Sequence, residues 1–327
     1  MHGISIRARL KLFAVLAGLA LALPAPAGAQ TYPERPVRIV SVTSAGTGVD
    51  DYTRLLARYL GQKLGQSFVV ENRPGANMIL ASDHVAKSAP DGYTLLLSGS
   101  GAMAANPFLY KRLPYDPLKD FVPVARMSAL PVAVVVPGTS PYRTAADLVA
   151  AARARPGKLN YGTSSTGYRT ILAAFNDAAK IQTVSVPYKA ASNLLTDLMA
   201  GVVDYGAVEI SAVVSHVQSG KLRALAVASP ARVPVLKDVP TVGEAGMPGA
   251  AFNTWVGLFA PAGTPPAVVD KLARLTLDFV NSPEAAAHYA VRGSVPYPAS
   301  GADLRKAIID DQQAWKRMIA LAGIEPE

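Results

Sequence analysis

The sequence predicts a two-lobed α/β clamshell, in which two mainly parallel sheets flanked by helices face each other across a cleft. Three observations carry this. From Val37 onward, short β-branched runs alternate with longer amphipathic segments. That alternation completes one βαβαβ unit and then restarts near Pro131. Such units require parallel strands joined by right-handed crossovers, and ligands of open α/β sheets lie outside the carboxyl ends of the strands.

In chain order, a strand at 37–42 precedes a helix at 50–64, which carries Leu55, Leu56, Tyr59 and Leu60 at helical spacing. A strand at 67–71, a helix near 78–87 and a strand at 94–98 complete the first unit. The second opens with a strand at 131–136, followed by a helix that starts at Thr144, with Asp147 three residues on as in a capping box. Arg155-Pro156-Gly157 stops that helix. Strands at 159–163, 184–186, 205–208 and 222–228 follow, with helices at 168–179 and 192–200. Beyond them, 265–281 and 302–322 read as amphipathic helices with no strand between, which suits elements that dress an existing sheet. Crossings between lobes are expected near 125–130 and 251–258, so that 30–127 and 253–327 make one lobe and 128–252 the other.

A chain of 327 residues with 50% hydrophobic and 17% charged content buries a real core, which excludes disorder and collagen. At the amino terminus Arg7, Arg9 and Lys11 precede an apolar run at 12–23, and Ala27-Gly28-Ala29 offers small residues to a signal peptidase. Segment 1–29 therefore reads as a secretory signal peptide, whose removal lowers the net charge from +9 to +6. The absence of cysteine excludes disulfides, thiol nucleophiles and a lipoprotein anchor. The basic residues are scattered rather than clustered, which argues against nucleic acid as a partner.

Three strand ends run into loops of small residues at 41–48, 98–101 and 162–167. Glycine lets main-chain N–H groups approach a ligand, hydroxyls add donors, and a following helix start favours an anion. Gly46, Thr47, Gly48, Ser164, Ser165, Thr166 and Gly167 are thus the candidate anion cradle, with Ser100 as a further contact. Thr43, Tyr168, Arg169, Tyr188, Glu209 and Trp255 are candidates for the specificity wall; the guanidinium of Arg169 matches a carboxylate in two-pronged fashion. Gly46-Thr47-Gly48 with Glu71 further on resembles a dinucleotide fingerprint, but Asp51 stands where its third glycine belongs. No histidine lies at metal-ligand spacing from another and no Gly-x-Ser-x-Gly elbow occurs. The adjacent pairs Asp50-Asp51 and Asp310-Asp311 point to different helix faces and cannot share a substrate. No cofactor, metal or catalytic step is expected.

Several ordered motifs carry a family resemblance. Tyr32-Pro33-Glu34-Arg35-Pro36-Val37, Val70-Glu71-Asn72-Arg73-Pro74-Gly75, Ala89-Pro90-Asp91-Gly92-Tyr93-Thr94 and Ala260-Pro261-Ala262-Gly263-Thr264-Pro265 resemble the Bug receptors, the extracytoplasmic substrate-binding proteins of tripartite tricarboxylate transporters. Leu159-Asn160-Tyr161-Gly162 and Val186-Pro187-Tyr188-Lys189 agree with it. The resemblance implies a periplasmic binding protein, monomeric, that captures a small organic anion and delivers it to the permease subunits. In the family the first strand-to-helix loop and the Tyr-Gly-Ser-Ser-type loop grip carboxylate oxygens, which correspond here to 43–50 and 163–170. A receptor that docks on a membrane sensor, and an exported oxidoreductase, are the alternatives.

The chain departs from the family pattern near the expected ligand. Thr43-Ser44-Ala45-Gly46-Thr47 replaces a Phe-Pro-Pro-Gly-Gly loop, Ile171 replaces a histidine, and Asn77-Met78 stand where paired glycines are common. Val208-Glu209 replaces Asp-Asn. A carboxylate facing a cleft built for anions would repel an acidic ligand and pair with an ammonium group; the alternative is that Glu209 turns to solvent or caps the next helix.

Overall fold

The structure is a computed structural model that describes residues 32–327, so the expected export segment at 1–29 lies outside the described residues. The strands are β1 (Val37–Ser41), β2 (Phe68–Asn72), β3 (Thr94–Gly99), β4 (Phe121–Leu130), β5 (Val132–Pro137), β6 (Asn160–Thr163), β7 (Val184–Pro187), β8 (Tyr205–Glu209), β9 (Leu222–Val227), β10 (Thr254–Pro261) and β11 (Val295–Ser300). The principal helices are α1 (Gly48–Leu64), α2 (Ile79–Ala86), α3 (Ala145–Ala154), α4 (Thr166–Ala179), α5 (Ala191–Ala200), α6 (Ile210–Gln218), α7 (Pro266–Val280), α8 (Pro283–Arg292) and α9 (Gly301–Leu321). Among the described residues the strands form a six-stranded sheet, β11-β4-β10-β3-β1-β2, and a five-stranded sheet, β7-β6-β8-β5-β9.

Local chemistry explains most boundaries. Val37, Ile39 and Val40 are fully buried in β1, as a β-branched strand covered on both faces requires. Thr47 caps α1 by accepting from Asp50 N–H, and α1 ends on Gly65 at φ 69°, a left-handed angle that glycine adopts without a Cβ clash. The capping box expected at Thr144 and Asp147 is present at the start of α3.

The two-sheet α/β architecture agrees with the expectation, but the pairing within each sheet is mixed. β1 pairs in parallel with β2 and β3, whereas β10 is antiparallel to both β3 and β4. In the second sheet β6 is parallel to β7 and β8, and β5 is antiparallel to β8 and β9. The βαβ portions are parallel because their crossovers carry helices; β10 and β5 enter from the other sheet and meet their neighbours head to tail. β4 is a full strand where only a crossing is expected, because Pro123 and Arg126 interrupt its apolar alternation. The tail holds α8 and the strand β11 between α7 and α9, contrary to the reading of two helices with no strand between. The prolines at 296 and 298 weaken the strand signal there and are tolerated because β11 is an edge strand.

One apolar cluster joins Val40, Leu96, Trp255 and Phe259 of the first sheet to Leu304 and Ile308 of α9. Another joins Val134, Phe175 and Tyr205 of the second sheet's side to Trp315, Met318 and Ile319 of the same helix. α9 therefore packs on both sheets, in addition to the two chain crossings at Pro131 and between β9 and β10. No helix among the described residues is long and apolar enough to cross a membrane.

Candidate functional site

The carboxyl ends of β1, β3, β6 and β8 and the first residues of β10 meet around a cavity of about 280 Å³. Val42, Thr43, Met78, Ser100, Leu130 and Trp255 come to it from the side of the six-stranded sheet, and Ser165, Gly167, Tyr168, Ile171 and Glu209 from the side of the five-stranded sheet. Trp315 of α9 closes one wall. The lining is largely aliphatic and aromatic with a few convergent polar groups, the composition of a small-molecule site.

Two glycines make the space. A Cβ on Gly99 would lie 2.2 Å from the carbonyl oxygen of Trp255, so β3 and β10 approach this closely only with glycine there. A Cβ on Gly101 would lie 2.2 Å from the methyl carbon of Met78. Met78 belongs to a stretch in which Ala76, Asn77 and Met78 all have positive φ, at 45°, 48° and 72°. Each such non-glycine residue costs roughly 1–2 kcal/mol. This is the physical reason glycines suit positions 77 and 78, and here the strained backbone turns the Met78 thioether into the wall.

The start of α4 is the anion-favouring end of the cavity. Ser165 is its N-cap, its Oγ accepting from Tyr168 N–H at 3.2 Å. The N–H groups of Thr166 and Gly167 precede the first helical hydrogen bond and remain free to donate, with the helix adding about half a positive charge.

Glu209 ends β8 and faces the cavity, and it is the one charged side chain among the described residues that line it. The Ser211 hydroxyl donates to Glu209 Oε1 at 2.5 Å, and the Tyr168 hydroxyl is its second partner. Burial pushes the Glu209 carboxyl above the ordinary glutamate value; the Ser211 and Tyr168 hydroxyls pull the other way without offsetting it. Burial and the neighbouring carboxylate push the Tyr168 hydroxyl upward as well, so it stays protonated and donates. Glu209 occupies the N-cap position of α6 but makes no side-chain capping bond. It neither turns to solvent nor caps the next helix.

The first loop spends its donors on itself. Gly46 N–H donates to Asp50 Oδ2 at 2.9 Å, and Thr47 Oγ1 donates to the Ser44 carbonyl at 3.0 Å. Asp50 is 2% exposed and also accepts from Asn72 Nδ2 at 2.7 Å and Arg54 Nε at 3.0 Å. Burial pushes Asp50 up, but the bonds from Arg54, Asn72 and Gly46 together hold its carboxyl below the usual range. Asp50 takes up the Gly46 N–H that a bound anion would need, and Glu71 is engaged by Arg73 and Arg38.

The cavity thus brings together Thr43, Ser100, Ser165, Gly167, Tyr168, Glu209 and Trp255. Gly46 and Thr47 are exposed and do not line it, while Gly48 lines a small recess beside Glu209 that also holds Ser211, His288 and Arg292. Ser164, Thr166 and Arg169 are half-buried on α4 or its approach and do not line the cavity. Tyr188 lies in a separate hollow, its hydroxyl donating to Asp197 at 2.8 Å. Of the apolar walls, Met78 and Ile171 stand out in the sequence as departures from the family pattern, whereas Val256 and Trp315 carry only the signal of ordinary core residues. The paired aspartates do diverge: Asp51 pairs with Arg292 and Asp310 with Lys306, whereas Asp311 accepts the Trp255 indole N–H at 2.6 Å and fixes that ring in the wall.

Residues 52–324 match the tripartite tricarboxylate transporter family receptor. Protein BugT of Bordetella pertussis is 35% identical over 317 residues, covering 95% of each chain. A UPF0065 protein of Pseudomonas sp. is 36% identical over 315 residues, 93% of each. Among solved structures, an R. palustris protein with adipate superposes with a TM-score of 0.82 at 32% identity, covering 90% of this chain and 100% of that one. MatC from Rhodopseudomonas palustris, with bound malate, superposes with a TM-score of 0.77 at 30% identity, covering 88% and 100%. The chain belongs to the family of tripartite tricarboxylate transporter receptors, solute-binding proteins of the Bug and TctC type.

Proposed function

We propose that this receptor takes one small organic carboxylate into the cavity between its sheets and hands it, unaltered, to the membrane subunits of a tripartite tricarboxylate transporter. The observation that carries the reading is a cavity with walls from both sheets and the N-terminus of α4 at one end. The adipate and malate of two structural neighbours agree with that anion-favouring end. Ser165 and the N–H group of Gly167 would hold the carboxylate, with the hydroxyls of Thr43 and Ser100 completing its shell. The lobes would divide at the two crossings, at Pro131 and between β9 and β10, so that β4 stays whole with the six-stranded sheet and α9 packs on both. A ligand touching both lobes stabilises the shut state, so binding and closure are coupled. Cleavage after Ala29 would release the mature protein into the periplasm.

Solution scattering and thermal denaturation with mono-, di- and tricarboxylates, aromatic acids and amino acids test this. The right ligand contracts the radius of gyration, and at one hundred times its Kd it adds about 2.7 kcal/mol to stability. If no carboxylate in the panel changes either quantity, the reading fails.

A further inference from the structure

We propose that the carboxylate is that of a zwitterion, an amino acid with an apolar side chain, whose ammonium group pairs with Glu209. The proposal rests on the carboxylate-receptor reading and adds the class of ligand. Three observations carry it. The enclosure offers a seat for one anion at the start of α4, and its single charged side chain, Glu209, is itself negative. A second ligand carboxylate would therefore enter a space that already holds an unneutralised one, at a cost that low local dielectric magnifies.

The ionisable groups facing Glu209 do not neutralise it. Tyr168 comes from α4. His288 and Arg292 come from α8 across the small recess. The Arg292 guanidinium is held by Asp51, and burial keeps His288 below its ordinary value and hence uncharged at neutral pH. Tyr168 also sets the spacing: its N–H is fixed by Ser165 and its hydroxyl rests on Glu209, so the anion seat and the carboxylate stand one tyrosine side chain apart. The remaining wall, Val42, Val49, Met78, Leu130, Ile171 and Trp255, suits an aliphatic or aromatic side chain.

Calorimetry on the mature protein with two matched pairs tests the idea: leucine against 4-methylpentanoate, and phenylalanine against 3-phenylpropanoate, with adipate and malate alongside. At least one amino acid should bind about tenfold or more tighter than its deaminated partner, since an ammonium on a buried carboxylate is a strong discriminator. Glu209→Gln should erase that ratio. In the wild-type protein the amino acid's affinity should rise as the pH is raised above the ordinary glutamate value of 4.5 and Glu209 ionises; a dicarboxylate would do the reverse, because its binding favours the protonated form. The pH slope needs no variant and so stands even if Glu209→Gln does not fold. Deaminated acids or dicarboxylates that bind as tightly as the amino acids, a falling slope, or a ratio that survives Glu209→Gln overturns the zwitterion and leaves the carboxylate receptor standing. Silence from every carboxylate removes the receptor reading beneath it.

Discussion

Replacing Glu209 by glutamine isolates what the cavity's charge costs the fold. The ionised carboxylate is favoured by two hydroxyl donors, each worth about 1.5–3 kcal/mol to a charged acceptor, and by the half-charge at the start of α6, worth about 0.5 kcal/mol. Against these stands a desolvation penalty of several kcal/mol for a buried ion. The carboxyl is displaced upward, so the penalty wins. Below the ordinary glutamate value of 4.5 the side chain is protonated in both folded and unfolded chains and glutamine changes little. Above it the unfolded chain releases its proton first, and the wild type loses stability until the folded carboxyl also ionises. Glutamine, which can still accept from Tyr168 and Ser211, avoids that loss. The melting temperature of Glu209→Gln should therefore exceed that of the wild type at pH 8, by roughly 2–4 °C for each kcal/mol of penalty relieved, and match it near pH 4. Calorimetric melts of both proteins at the two pH values measure the double difference, in which every other titration cancels. A variant less stable than wild type at pH 8 would refute the reasoning and make Glu209 a structural anchor. A group that costs stability where a neutral isostere would not is the mark of a side chain kept for binding.

Two further outcomes separate folding from recognition. Ser165→Ala removes the cap of α4 and should cost about 1 kcal/mol of stability as well as ligand affinity. Ser165→Asp keeps the cap but places an anion at the seat, so denaturant melts should change by less than about 0.5 kcal/mol while carboxylate binding weakens about tenfold or more; unchanged binding would move the seat elsewhere. Ala76→Gly relieves an exposed left-handed residue at φ 45° and should leave binding alone. Its gain, up to about 1 kcal/mol after the entropy that glycine adds to the unfolded chain, is read from the same melts, and a loss would show the turn unstrained.

The two sheets were legible because periodicity reports which face of an element is buried, and most strands and helices from Val37 to Val227 follow that rule, although the helix α6 between β8 and β9 went unread. The start of α3 was legible because caps are local chemistry, as Thr144 with Asp147 illustrates, whereas α4 begins at Thr166 on the Ser165 cap, two residues before the expected 168. β4 and β11 escaped notice because Pro123, Arg126 and the prolines of β11 blur alternation that only strand pairing restores. The first loop illustrates a different failure. Its glycine and hydroxyls have the composition of an anion cradle, yet the Gly46 N–H is taken by Asp50 and the Thr47 hydroxyl by the Ser44 carbonyl, and Asp50 is itself held by Arg54 of its own helix and by Asn72 of β2.

Residue type and spacing established two α/β sheets and the capping box at Thr144, while the family resemblance implied a receptor and marked the oddity of Glu209, since each depends on near neighbours or on a repeated family pattern. Folding alone settled which groups share the cavity. Met78, Ile171, Trp255 and Trp315 converge from four distant segments, Gly46 and Tyr188 are drawn away by Asp50 and Asp197, and Glu209 is left as a half-buried carboxylate with no ion pair among the described residues. Burial and competing partners are properties of three-dimensional packing, and they decide whether a donor or a charge remains available to a ligand.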